Sequence, residues 1–295
     1  MDVADLKTFE AVLRHGSMNK AAQELHTVQS NVTARIQSLE QELGVALFQR
    51  HARGVNATPA GERILPSVAR ISKLLAEAES AAKDDGIPHG VLTLGSLETT
   101  MALRLSPALS RFARSYPEVR LVIRAGTTEG LIRQVVESQL DGAFVAGPID
   151  HPDIVQERVF AEELVLVTSQ AIQSLKDLAK VRDLRTIVFQ LGCSYRQRLE
   201  TILAGMGIVT AKPLEFGSLD TIINCVSAGI GITLLPRGVV AEDADAGRVS
   251  LHALPRNRAR VETLFIRRHD AYVSSALSAF LAVARDASKS SDKAA

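Results

Sequence analysis

Through the first sixty residues apolar positions repeat at helical spacing, and each run stops at a small or turn-forming residue. Leu6, Phe9, Val12 and Leu13 give one inner face, closed by Gly16-Ser17. Ser17 suits an N-cap, because its hydroxyl can accept from a backbone N–H that the helix leaves free. Behind it Ala21, Ala22 and Leu25 form a small, flat side that a second helix can approach closely. His26-Thr27 breaks the pattern. Val28, Val32, Ile36, Leu39 and Leu43 then define a stripe to bury. The far side of this helix carries Ser30, Thr33, Ala34 and Gln37, with Asn31 on its flank. A surface helix kept for solubility usually carries Lys and Glu there. Short, uncharged side chains instead let a helix sit deep in the DNA major groove, against the donors and acceptors of base edges. Taken alone, the stretch also fits an ordinary helical hairpin in a core.

The next segment favours the first reading. Leu47-Phe48-Gln49-Arg50 closes the core, Arg53-Gly54-Val55 makes a turn, and Thr58-Pro59-Ala60-Gly61 opens a helix with Thr58 as cap and Pro59 at its first position. Two helices followed by a short basic hairpin make a winged helix-turn-helix, with Arg50 and Arg53 placed for phosphates beside the groove. In the helix that follows, to about Lys83, Ile64, Val68, Ile71, Leu75, Ala78 and Ala82 alternate four and three residues apart. Such a heptad seam wants a partner helix, here a second copy of the chain. Pro66 interrupts it and predicts a kink or strain. Asp84-Asp85-Gly86-Ile87-Pro88-His89-Gly90 has no periodicity and reads as a hinge.

From Gly90 onward strands and helices alternate: strands at Val91–Gly95, Val119–Arg124, Gly142–Ala146, Leu164–Thr168, Ile187–Phe189, Ile230–Leu235 and Val261–Arg267. Helical patterns lie at Met101–Ser115, Glu129–Gln139, Tyr195–Met206, Asp220–Ser227 and Tyr272–Asp286. This alternation predicts parallel sheets covered on both faces. The order suggests two Rossmann-like α/β subdomains, with the chain crossing near Glu162 and again near Arg267. The expected division is 1–58 for the winged domain, 59–89 for the linking helix and hinge, and 90–287 for the α/β domain. Within the last, one subdomain takes about 90–161 and 267–287, the other about 162–266. Residues 288–295 read as a polar, disordered tail.

Charge changes the picture little. The chain of 295 residues carries 34 Lys and Arg against 33 Asp and Glu, for a net charge of +1. Affinity for a polyanion therefore has to come from local placement of basic groups and from doubling the site. Aromatic residues make up 4% and Trp is absent, which argues against a stacking platform for single-stranded nucleic acid. Cys193 and Cys225 have no metal or redox spacing, and such sparse use fits a reducing cytoplasm. No apolar run follows a basic start, so a secretory signal is not expected, and no stretch approaches bilayer-spanning length. No metal or cofactor is expected: the histidines are unpaired at ligand spacing, and no P-loop, HExxH or nucleophile elbow occurs. Gly229-x-Gly231 is a helix end rather than a dinucleotide loop.

Phe9, Gly16-Ser17, Ala21-Ala22, Leu25, Gln29-Ser30, Ile36, Leu39-Glu40, Leu43-Gly44, Leu47-Phe48, Arg50, Arg53-Gly54 and Thr58-Pro59-Ala60-Gly61 together resemble the LysR-type transcriptional regulators. The DNA-facing set expected with this resemblance also includes Ser17 and Gln29. It implies an effector domain of the type II periplasmic-binding-protein kind over the rest of the chain, with an inducer in the cleft between its subdomains. It also implies a tetramer built as a dimer of dimers. Two positions depart from the pattern. Val28 stands where the family often has Ser, and Ala34 where it has a long basic residue, with Arg35 one place later. Arg35 lies near the edge of the apolar stripe, within reach of a phosphate or a neighbouring carboxylate.

Ligands of open α/β sheets sit at the carboxyl ends of strands, where helix N-termini point N–H groups into the crevice. Those ends are Ser96, Leu97, Glu98 and Thr99; Thr127 and Thr128; Gly147; Cys193, Ser194, Tyr195 and Arg196; and Gly217 and Ser218. The hydroxyls of Ser96, Thr99, Thr127 and Ser194 suit a carboxylate, although each is also an ordinary helix cap. Glu98 either complements its own helix dipole or pairs with a cationic group, which would make the ligand an amine or amino acid. The GSLET and CSYR stretches are also similar to regulators of polyamine use. Cys193 lies near a helix N-terminus, where a thiol can become a redox sensor, but no basic cluster supports that role. The sequence thus describes a cytoplasmic, ligand-responsive regulator binding double-stranded DNA as a homo-oligomer. A transport solute-binding protein, an enzyme and a ligand-independent architectural DNA binder are the rivals, and no base, nucleophile or metal constellation supports the enzyme.

Overall fold

The computed structural model describes residues 1–51, 54–178, 181, 183–190, 192–208, 210 and 213–291. The chain divides into one unit built on Met1–Lys83 and a second that begins at Asp84.

The first unit opens with α1 (Val3–His15), α2 (Met18–Glu24) and α3 (Gln29–Leu43). A reciprocal cap starts α1: Asp2 Oδ1 accepts from the Asp5 N–H at 2.8 Å, and Asp5 Oδ2 accepts from the Asp2 N–H at 3.0 Å. Gly16 and Gly44, both left-handed, end α1 and α3. Ser17 caps α2 by accepting from the Lys20 N–H. Phe9, Val12, Ala21, Val32, Ile36, Leu39 and Leu47 are buried together. The stripe on α3 is shorter than its spacing suggests. Val28 is the extended N-cap residue and 65% exposed, and Leu43, in the last turn, is also exposed. Periodicity extends a stripe to the helix ends, but the neighbouring helices cover only its middle.

Strands β1 (Phe48–His51) and β2 (Gly54–Ala57) pair antiparallel, Phe48 opposite Ala57. Glu40 Oε1 accepts from the N–H groups of Leu47 and Phe48 at 2.7 and 3.0 Å and pins the start of this hairpin to α3. Helix α4 (Pro59–Lys83) follows without interruption through Pro66. Thr58 Oγ1 accepts from the Gly61 N–H and donates to the Ala46 carbonyl. Gly61 is required there, because a Cβ would stand 2.4 Å from the Leu47 carbonyl oxygen.

The second unit runs β3 (Gly90–Ser96), α5 (Glu98–Thr100), a π-helical turn (Met101–Leu105), α6 (Ser106–Ser115), β4 (Val119–Ala125), α7 (Thr128–Val136), β5 (Gly142–Ala146) and β6 (Ile154–Ser169). It continues α8 (Leu175–Leu178), β7 (Ile187–Val188), α9 (Ser194–Gly205), β8 (Leu214–Glu215), α10 (Leu219–Ser227) and β9 (Thr233–Pro236). The last elements are α11 (Ala241–Asp245), β10 (Val249–Ala253), α12 (Arg256–Ala259), β11 (Arg260–Arg268) and α13 (Ser275–Ser291). The main sheet has the order β10-β6-β11-β5-β3-β4, with β9 also on β6. Among the named strands, β3 pairs in parallel with β4 and β5, and β7 with β8, while β6, β9, β10 and β11 pair antiparallel. The sheet is therefore mixed rather than parallel.

Strand β6 explains the difference. Its first part pairs with β11, and Leu164–Ser169 pairs with β9 and β10, so one strand serves both subdomains. Up to Glu163 its side chains are mostly half-buried or exposed and often charged, which hides the strand from a search for apolar runs. The return crossing also comes earlier than Arg267, since Thr263–Ile266 already pair with Ala146–Ala143. One core gathers Leu94, Leu105, Phe112, Phe144, Phe265 and Phe280. A second, on the far half of β6, gathers Val165, Val167, Ile187, Ile222, Val226 and Leu235. Asp84 anchors the final helix, accepting from the Ser275 N–H at 2.8 Å and the Tyr272 hydroxyl at 2.9 Å. That helix continues to Ser291, into the expected tail; residues 292–295 lie outside the described residues.

Candidate functional site

The first candidate surface is the outer face of α3. Gln29, Ser30, Asn31, Ala34 and Gln37 are exposed and Thr33 is half-buried, while Val32, Ile36 and Leu39 turn inward. Asn31 donates to the Thr27 hydroxyl at 2.9 Å, so its amide is partly engaged at the helix start. Ser17 is spent as the α2 cap. Arg35 donates to Asp5 Oδ1 at 2.9 Å and lies 3.6 Å from Asp2. Of its two sequence alternatives the carboxylate prevails, which removes Arg35 from the set of free DNA-facing groups. Arg50 lies on β1, and Arg53 lies outside the described residues.

The seam on α4 is divided. Val68 is 3% exposed and, with Ile64, packs into the core of α1 to α3, so these two are not available to a second copy. Ser72 donates to Glu10 Oε2 at 2.6 Å and adds a polar tie to α1. From Ile71 onward the seam is open: Ile71, Ala78 and Ala82 are exposed and Leu75 half-buried. Leu74, off the strict heptad, is 47% exposed and joins them.

The second candidate site is a cavity of about 180 Å³ between the two subdomains of the second unit. Leu97, Glu98, Thr99 and Thr127 line it from one side, and Cys193, Ser194, Tyr195 and Gly217 from the other. Ala125, Gly126, Phe189 and Gln190, missed in the sequence, complete the wall. They follow the same rule as the rest, standing at the ends of β4 and β7. Ser96, Thr128, Gly147, Arg196 and Ser218 stand outside this wall. Ser96 is fully buried and donates to the Leu97 carbonyl. Arg196 is held by Glu215 at 2.6 Å and Glu200 at 3.1 Å. Gly147 and Thr128 border a separate groove, where Arg198 donates to the Gly147 carbonyl. Ser218 starts α10 without a side-chain cap bond.

Within the cavity the polar groups divide by what already holds them. Thr127 Oγ1 accepts from the Gly130 N–H and is an N-cap. Tyr195 is buried and hydrogen-bonded to the Thr99 side chain; burial raises its hydroxyl pKa far above the ordinary range, so it stays a neutral donor. Ser194 Oγ is buried without a hydrogen-bond partner among the described residues. Glu98 crosses to the other subdomain, where its Oε1 accepts from the Leu219 N–H at 2.9 Å. It therefore serves the N-terminus of α10. Cys193 is buried, and that burial raises its thiol pKa; Cys225 is also a free thiol. A reactive thiolate needs the opposite shift. Among the described residues no His, Cys, Asp and Glu group could hold a metal ion, and no helix is long and apolar enough to cross a membrane.

Comparison with known proteins agrees with both halves of the chain. Residues 3–62 match the bacterial regulatory helix-turn-helix protein, lysR family, and residues 85–289 match the LysR substrate binding domain. The chain is 43% identical over 286 residues to the transcriptional regulator GltR of Bacillus subtilis (strain 168), covering 97% of each protein. It is 42% identical over 281 residues to the regulator CzcR of Bacillus cereus, covering 95% of this chain and 96% of that one. Among solved structures, a full-length OxyR variant from Pseudomonas aeruginosa shares the fold with a TM-score of 0.71 at 20% identity, covering 98% of this chain and 95% of that one. Full-length CbnR in complex with its target DNA gives 0.66 at 23% identity, covering 97% of this chain and all of that one. Its relatives are transcriptional regulators rather than enzymes. With a helix-turn-helix DNA-binding domain ahead of an effector-binding domain, the chain belongs to the LysR family of transcriptional regulators.

Proposed function

We propose that this regulator reads double-stranded DNA with the exposed strip of α3 and answers to a small molecule in the cavity between its effector subdomains. The observation that carries the DNA part is the two-sidedness of α3: Val32, Ile36 and Leu39 are buried while Ser30, Ala34 and Gln37 face outward. At Ala34 the base contact can only be a methyl contact, so the hydrogen-bonding readout falls to Gln29, Ser30, Asn31, Thr33 and Gln37. The β1–β2 hairpin acts as the wing, and Arg50 and Arg53 serve phosphates. Two copies pair through the later turns of α4, from Ile71 to Ala82, and set the half-site spacing. Pairs of dimers make the tetramer. The regulator works in the cytoplasm.

The effector acts only as far as it binds one arrangement of the two subdomains better than the other. The cavity supports this reading because six of its lining residues come from each subdomain. Mapping of bound DNA across the genome, followed by footprinting of the recovered sites, tests the DNA part. Protection of two half-sites about one helical turn or a multiple apart is expected. Purified chain that leaves every recovered fragment unprotected would contradict it.

A further inference from the structure

Resting on the reading of that cavity as the effector site, we propose that the effector carries a protonated amine and that this ammonium group sits against Glu98. Among the described residues Glu98 is the one acidic or basic side chain on the cavity wall, and neither Arg nor Lys lines it. Three other carboxylates of the effector-binding domain are matched with cations: Glu162 with Arg104, Glu163 with Arg237, and Glu215 with Arg196. Glu98 has no cationic partner among the described residues, and its one hydrogen bond comes from the Leu219 N–H. A half-buried carboxylate in a small cavity repels an anion and attracts a cation, and a confined charge gains most from a partner of opposite sign. One carboxylate oxygen holds α10, and the other is left for the ligand.

Size and polarity narrow the class further. A cavity near 150 Å³ takes benzene, so about 180 Å³ suits a molecule of roughly six to nine non-hydrogen atoms. Ser194 Oγ, buried without a partner among the described residues, offers a hydrogen bond to the far end of that molecule. A short diamine and a short amino acid share the ammonium group and differ at that far end.

Isothermal titration of the full-length protein tests this with 1,4-diaminobutane and 4-aminobutyrate as the ammonium probes, and with butyrate and succinate as anions without one. At least one ammonium probe binds, the anions do not, and Glu98→Gln weakens the binding tenfold or more. The carboxamide oxygen of that variant still accepts from Leu219, so it removes the charge and keeps the tie. Gly217→Phe fills the cavity and abolishes binding; a Cβ at Gly217 has only Gln190 Nε2 near it, at 3.9 Å. Thermal unfolding of both variants establishes that they fold. Binding of the anions alone, of no probe at all, or of an ammonium probe equally to wild type and Glu98→Gln overturns the ammonium proposal. Ammonium binding that survives Gly217→Phe instead overturns the placement of the effector in this cavity.

Discussion

Glu98 and Leu219 belong to different subdomains, and the 2.9 Å hydrogen bond from the Leu219 N–H to the Glu98 carboxylate ties them together. A charged acceptor at a helix N-terminus meets both an unpaired N–H and the positive end of the helix dipole. Glu98→Ala removes this acceptor at a cost of about 1–2 kcal/mol. Hydrogen exchange at Leu219 and Asp220 is expected to quicken in that variant and to stay near wild type in Glu98→Gln. Equal exchange in all three proteins would mean that the tie does not hold α10.

Arg35 is a structural residue of the DNA-binding domain. Its guanidinium meets Asp5, which is buried and also forms half of the α1 cap. Removing it leaves a buried carboxylate without its partner, which costs about 3 kcal/mol in well-desolvated sites and less here because Arg35 is about one-third exposed. Arg35→Ala is therefore expected to lower the unfolding temperature of the N-terminal unit. The slope of DNA affinity against salt is expected to stay unchanged, since no phosphate contact is lost. A slope reduced by about one unit would return Arg35 to the phosphate-binding set.

Along α4 apolar positions have different roles up to Val68 and from Ile71 onward. Val68→Ala opens a hole in the domain core and costs about 2 kcal/mol, with the sedimentation coefficient unchanged. Ile71→Glu and Leu74→Glu place charges on exposed apolar positions. They are expected to split the oligomer in sedimentation velocity while leaving the unit folded. Dimers that persist in both variants would place the pairing surface elsewhere.

His252 is buried and hydrogen-bonded through Nε2 to Thr168 Oγ1 at 2.9 Å. Burial lowers its pKa below the ordinary imidazole value of 6.5. In the unfolded chain His252 takes up its proton near that ordinary value, before the folded protein does. Its contribution to stability is thus complete above pH 6.5 and declines as pH falls through 6.5 toward the lower folded value. The effector-binding domain is expected to melt at lower temperature at about pH 5.5 than at about pH 7.5. His252→Gln should flatten the part of that decline which His252 supplies; an identical pH profile in the variant would contradict the assignment.

The DNA-binding half was legible because its cues are local. Ser17, Gly16, Gly44 and Thr58 mark helix ends by their own chemistry, and the polar strip on α3 repeats at one period. Positions settled by neighbours distant in sequence were harder. Arg35 is fixed by Asp5, Val68 by α1, and Glu98 by Leu219, 121 residues away. Of strand β6 only the Leu164–Thr168 end was legible, because its first part has half-exposed, often charged side chains rather than an apolar run. The rule that ligands meet strand ends found eight of the twelve cavity residues. It also admitted Arg196, which is held by Glu200 one helical turn on and by Glu215, nineteen residues away.

Fluorescence anisotropy with a labelled duplex carrying a mapped operator tests most directly whether the α3 strip meets nucleotides. Ala34→Glu places a carboxylate at the middle of the strip, and Ala246→Glu makes the same change at another exposed position, in the effector-binding domain. With both variants folded, Ala34→Glu is predicted to lose about a hundredfold in affinity through repulsion from the phosphates and blocked base contacts, while Ala246→Glu binds like wild type. Equal affinity of the two variants would contradict the reading of α3 as the DNA-contacting helix.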